Sequence, residues 1–146
     1  MLEAGIRQPE AVCVATARGA LSREWDSYYV IREVENSQCL EALLERLERN
    51  LDSQLLERLA GAVVKTLSLM NSHGFCHWDF KPRNILVVAN GDDMELCPID
   101  SRSGRKTGVW NRRHCRERDR RFVLRHPLLG PAVAKLLDGD TQGREA

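Results

Sequence analysis

The sequence predicts a single α+β domain: a short antiparallel strand pair, a mainly helical body, and a hairpin set into that body. Three observations point to it. Residues 11–15 (AVCVA) and 27–34 (SYYVIREV) are β-like runs separated by a polar stretch. Residues 53–71 repeat apolar side chains at helical spacing along their whole length. After a polar loop, Ile85-Leu86-Val87-Val88, the turn signal Asn90-Gly91-Asp92-Asp93 and the run Met94–Ile99 read as two strands of a hairpin.

Taken in order, the first strand is the β-branched run from Glu10 to Ala17, broken by Arg18-Gly19-Ala20. Ser27–Val34 alternates, with Tyr28 and Val30 on one face and Tyr29 and Ile31 on the other. Ser37 is placed to cap a helix reaching Arg49, in which Leu40, Leu43, Leu44 and Leu47 share a face. The helix from Ser53 to Asn71 carries the stripe Leu55, Leu56, Leu59, Val63, Leu67 and Met70, and His73-Gly74 fits its end. Beyond Asp100, Gly104 and Gly108 suggest a loop, helices are expected over 111–124 and 130–137, and the tail 139–146 is expected to be disordered.

Composition narrows the function classes. A chain of 146 residues can form a core, but with 5% aromatic residues that core has to be built from Leu and Val. No run approaches the roughly 18 apolar residues of a spanning helix, and MLEAGIRQPE lacks a basic-then-apolar signal pattern. The expected location is the cytoplasm. The five cysteines, at 13, 39, 76, 97 and 115, are odd in number and include no C-x-x-C pair, so free thiols are expected rather than disulfides or a zinc site. Net charge is +1, yet residues 101–126 hold ten Lys/Arg and two acids. Such a segment attracts phosphates, an anionic lipid surface or nucleic acid.

The loop HGFCHWDFKPRN at 73–84 places Asp79, Lys81 and Asn84 between two apolar elements, and Asp100 closes the returning strand. Phosphoryl transfer from a metal–nucleotide complex needs these parts: a carboxylate beside the attacking hydroxyl, and an amide oxygen and a second carboxylate on magnesium. Asp79 suits the first role, Asn84 and Asp100 the second, and Lys81 could offset charge on the transferred group.

H-W-D-F-K-P-R-N at 77–84 resembles the kinase catalytic loop H-R-D-L-x-x-x-N, with the same acid-to-amide spacing. In detail, HGFCHWDFKPRNILV followed by PIDSRSGR is similar to the lipopolysaccharide kinase family, the Kdo/WaaP and InaA-like group, over roughly residues 5–126. That resemblance implies a protein-kinase-like fold, ATP, magnesium, and phosphorylation of a sugar hydroxyl in the lipopolysaccharide core. It implies that residues 1–36 are a remnant of the small lobe, with Glu33, Val34 and Glu35 as the hinge beside the adenine, and that 37–138 form the helical large lobe. It makes His77 a structural brace. The basic segment 102–125 would then face a phosphorylated glycolipid and, peripherally, the anionic inner membrane.

Trp78 stands where many protein kinases have an arginine, Ser101-Arg102 follow Asp100 in place of Phe-Gly, and neither a glycine-rich loop nor a lysine precedes Lys65. These departures lead to the expectation that the chain is a fragment or a degenerate relative. The alternatives are a pseudokinase-like module that binds a partner or lipid, and a basic protein for nucleic acid or anionic lipid; under any of these readings the exposed strand pair is expected to favour homodimerisation. Nucleic acid is the weaker of these, because residues 102–125 lack clustered aromatics.

Overall fold

The computed structural model describes residues 5–18, 25–91, 93–100, 105–106 and 112–142. The loop expected around Gly104 and Gly108, much of the basic segment, and residues 143–146 lie outside these. β1 (Ala11–Arg18) and β2 (Trp25–Ile31) pair antiparallel and form a two-stranded sheet by themselves. β1 lies within one residue of the sequence expectation, whereas β2 starts two residues early at Trp25 and releases the chain at Arg32, whose N–H donates to Glu10 O at 2.8 Å. Val14 and Tyr28 are 62% and 59% exposed, so among the described residues this hairpin buries little of its apolar surface.

Ser37 does not cap a helix: Ser37–Cys39 is a strand, β3, pairing antiparallel with β5 (Ile85–Asn90) through Ser37↔Val88 and Cys39↔Leu86. The Ser37 hydroxyl donates to Val34 O at 2.6 Å instead. Sheet pairing to a strand almost fifty residues away outweighs a local capping preference, which amounts to about 1 kcal/mol. Helix α1 (Leu40–Arg49) follows, with Glu41 in its first turn and Arg46 and Arg49 in its last, matching the helix dipole.

α2 (Ser53–Ser72) is capped by Asp52, whose carboxylate accepts from Leu55 N at 3.0 Å. Gly74, at φ +65°, ends it as the sequence predicts. A strand too short to predict, β4 (Phe75–Cys76), pairs with β7 (Arg105–Lys106). β6 (Asp93–Pro98) returns alongside β5 from Asn90↔Asp93 to Ile85↔Pro98. β5 lies between β3 and β6, and its Ile85, Val87 and Val88 are buried.

The core is leucine-built. Leu40, Leu43, Leu44 and Leu47 of α1 and Leu59, Val63 and Met70 of α2 are essentially inaccessible. Each such side chain contributes about 1.5–3 kcal/mol on burial. α3 (Arg112–Leu124) and α4 (Leu129–Gln142) close the far side with Val123, Leu129 and Val133. Their corner depends on Gly130, where a Cβ would sit 2.4 Å from Leu124 O. α4 continues to Gln142, past the start of the segment expected to lack structure. No described helix is long and apolar enough to cross a membrane.

Candidate active site

The loop between α2 and β5 is held by three layers of bonds. The innermost is local. Lys81 N donates to Asp79 O at 2.7 Å and Asn84 N to Lys81 O at 2.9 Å, closing a 3-10 turn over Pro82–Asn84. Pro82 suits the start of that turn, since its fixed φ is preset and no N–H is needed there. Phe80, fully buried, anchors the turn in the core.

The second layer is electrostatic. Asp79 Oδ1 lies 2.6 Å from Lys81 Nζ, and Asp79 Oδ2 accepts from Asn84 Nδ2 at 2.9 Å. The Lys81 ammonium, bonded to the carboxylate, holds the Asp79 carboxyl below the usual range, and the Asn84 amide adds to this. Asp79 is therefore ionised at neutral pH while its side chain remains about one-third open to solvent. Asn84 Nδ2 also donates to Asp79 O at 3.1 Å. With its nitrogen spent on Asp79, the amide has its oxygen left for another partner.

The third layer ties the loop to distant segments. Ile99 N donates to Asn84 O at 2.8 Å, and Ile99 O faces His77 Nε2 at 3.0 Å. Asp100 thus follows a residue bonded to both ends of the loop. It is exposed and holds φ +55°, in the left-handed region. Of the residues singled out from sequence, Asp79, Lys81 and Asn84 are joined directly by side-chain bonds, and Asp100 is coupled to them through the backbone of Ile99. Glu33, Val34 and Glu35 lie in the connection from β2 to β3, where Val34 is half-buried and the two glutamates are exposed.

Among the described residues no three His, Cys, Asp or Glu side chains gather as a metal cluster. The expected magnesium set is one acid and one amide, so the fit rests on the Asn84 oxygen and the Asp100 carboxylate. Both are hard oxygen donors of the kind that cation takes.

Sequence reasoning missed Asp119. This acid, 3% exposed, accepts from His77 N at 3.1 Å and from Trp78 N at 3.2 Å. The Cys76 thiol donates to it as well. Burial pushes its carboxyl upward, against the opposing effect of these donors. Trp78 has φ +66°, a strained conformation for a bulky residue. Asp119 fixes its N–H, and Arg118 Nε fixes its carbonyl at 3.1 Å. Asp119 looked like one more charge in RERDRR, yet it is four residues before Val123 and four after Cys115. A charge in an apolar register position was the available signal.

His77 is fully buried, and among the described residues its Nδ1 has no hydrogen-bond partner. Desolvation lowers its pKa below the ordinary 6.5. The unfolded chain then binds a proton more readily than the folded one. Stability attributable to His77 is complete above pH 6.5 and declines as pH falls below it. In denaturant titrations from pH 7.5 to 5, replacing His77 by Gln is expected to flatten this acid limb. An unchanged limb would remove His77 as its source.

This arrangement of helix, loop, hairpin and acid defines the class: the fold is protein-kinase-like. In the solved structures, the chain is similar to "WaaP in complex with acyl carrier protein", with a TM-score of 0.68 at 24% identity, covering 93% of this chain and 59% of that one. It therefore spans less than two thirds of that protein. The match to the Lipopolysaccharide kinase (Kdo/WaaP) family covers residues 1–127, and the chain belongs to that family. A search of the curated proteins returns no match.

Proposed function

We propose that this chain carries the acceptor side of a kinase site, which transfers the γ-phosphoryl group of ATP to a hydroxyl of a lipopolysaccharide core sugar. The observation that supports this best is the Asp79 carboxylate, clamped by Lys81 on one oxygen and Asn84 on the other. Asp79 orients the attacking hydroxyl. As the new O–P bond forms and the bond to the departing ADP breaks, the hydroxyl proton passes to the Asp79 carboxylate. A carboxyl held below its ordinary range is a weak base, so orientation is its main contribution and proton transfer comes late, as a loose transition state allows. Lys81 offsets negative charge on the transferred group. Asn84 Oδ1 and Asp100 are the atoms that would hold magnesium, whose charge neutralises the phosphates when bound. Glu33, Val34 and Glu35 are the proposed adenine hinge.

Magnesium-dependent nucleotide binding, followed by calorimetry on the whole chain, tests this. Asn84→Ala and Asp100→Ala are each expected to weaken ATP binding at least about tenfold in magnesium and to have little effect in its absence. Equal ATP affinity with and without magnesium would refute the metal assignment.

A further inference from the structure

Among the described residues the β1–β2 hairpin leaves both its outer edges unpaired and much of its apolar side-chain surface in water. Two strands alone are marginally stable, and a durable sheet needs more. The two edges are not equivalent. β1 carries a register shift between Ala11 and Cys13, a bulge of the kind that turns an edge away from further pairing. β2 pairs without a shift of its own from Trp25 to Ile31 and contains no proline or lysine. Its backbone alternation is set by Arg32, whose N–H donates to Glu10 O. Arg32, Val30, Tyr28 and Asp26 therefore turn their peptide groups toward β1, while Ile31, Tyr29 and Ser27 turn theirs to the open edge.

The open edge of β2 is complementary to itself. Antiparallel pairing about a twofold axis at Tyr29 sets Tyr29 opposite Tyr29, Ser27 opposite Ile31, Tyr28 opposite Val30 and Asp26 opposite Arg32. The first two pairings join positions whose peptide groups already face outward, so the ladder between copies forms without rearranging the hairpin. Tyr28 and Val30, 59% and 50% exposed, fall at the non-hydrogen-bonded positions. There opposed side chains approach most closely, and an aromatic paired with a β-branched residue is favourable. Asp26 opposite Arg32 matches charge at both ends. Arg32 is 69% exposed, and its bond to Glu10 uses Nε, which leaves the rest of the guanidinium for a second carboxylate. Centring the axis at Tyr28 or Val30 instead loses both charge pairs. We propose that β2 is a homodimer interface: two copies of this chain join β2 to β2 in this register and form one continuous antiparallel sheet. The proposal stands independently of the kinase reading.

Sedimentation of the whole chain over a wide range of concentration is expected to show reversible association to twice the monomer mass. Asp26→Arg and Arg32→Asp each set like charges opposite one another at both ends, and each should weaken self-association by about tenfold. Mixing the two variants makes both ends complementary again, because each copy supplies the charge that the other needs. The mixed dimer should therefore form about tenfold more tightly than either variant forms with itself, a rescue that damaged folding cannot produce. Val14→Lys, on β1 at a position 62% exposed, is expected to have little effect. Circular dichroism checks that every variant is folded. A chain that stays monomeric at all concentrations overturns the proposal. So does association that neither charge variant weakens, or a mixture that gains nothing over its components. A dimer lost in Val14→Lys also overturns it, by moving the interface to β1.

Discussion

On the proposed kinase reading, Asp79→Asn is expected to lower phosphoryl transfer by about 10²–10⁴-fold, with a much smaller change in ATP affinity. The isosteric amide keeps the shape of the clamp but removes the charge on which Lys81 rests at 2.6 Å. It also cannot take the proton leaving the acceptor hydroxyl. Asp79→Ala should reach the same floor while also releasing Asn84, whose amide nitrogen bonds the carboxylate at 2.9 Å. Comparing the two separates loss of the carboxylate from loss of its neighbours' positions. The measurement is turnover of ATP with a lipopolysaccharide core sugar as acceptor, alongside nucleotide binding on the same preparations. Transfer within threefold of the parent in either variant would show that Asp79 does not orient the nucleophile.

The largest effect on stability is expected at Asp119. Replacing it by Ala leaves His77 N and Trp78 N without their acceptor in a buried site. An unsatisfied buried donor costs about 1–3 kcal/mol, and two are created, so a loss of about 3 kcal/mol is expected. Trp78 compounds this, since its φ of +66° persists only while its N–H and carbonyl are both tied down. Relaxation of Trp78 would swing Asp79, the next residue, away from Asn84. Asp119→Ala should therefore lower the denaturation midpoint and also disturb the loop, visible as a changed Trp78 fluorescence environment or amide shifts at 77–84. Asp119→Asn, which retains one acceptor oxygen, should lose less. A variant as stable as the parent would mean that water replaces the carboxylate and that Asp119 is not the anchor of the loop.

The long elements were legible because their signal is periodic and local. The α2 stripe of Leu59, Val63, Leu67 and Met70 appears in the structure as the buried face. The β5–β6 hairpin follows from Gly91, at φ +60° where the turn needs it. What escaped was non-local. Ser37 looked like a cap because its neighbours are helical, and only pairing with Val88 makes it a strand residue. β4 and β7, two residues each, have no pattern of their own and exist only as partners. Asp119 acts on backbone groups more than forty positions away.

The sequence by itself determined the leucine core, the order of helix, loop and hairpin, and the acid-to-amide spacing of the loop, because each of these depends on neighbours along the chain. Tertiary structure alone decided that Asp79 is clamped on both oxygens, that Ile99 links Asn84 to His77, and that a buried acid on α3 holds Trp78 in a strained turn. The physical reason is that a charge or a strained φ persists only where groups from distant segments satisfy it, and which segments meet is settled by packing of the whole chain.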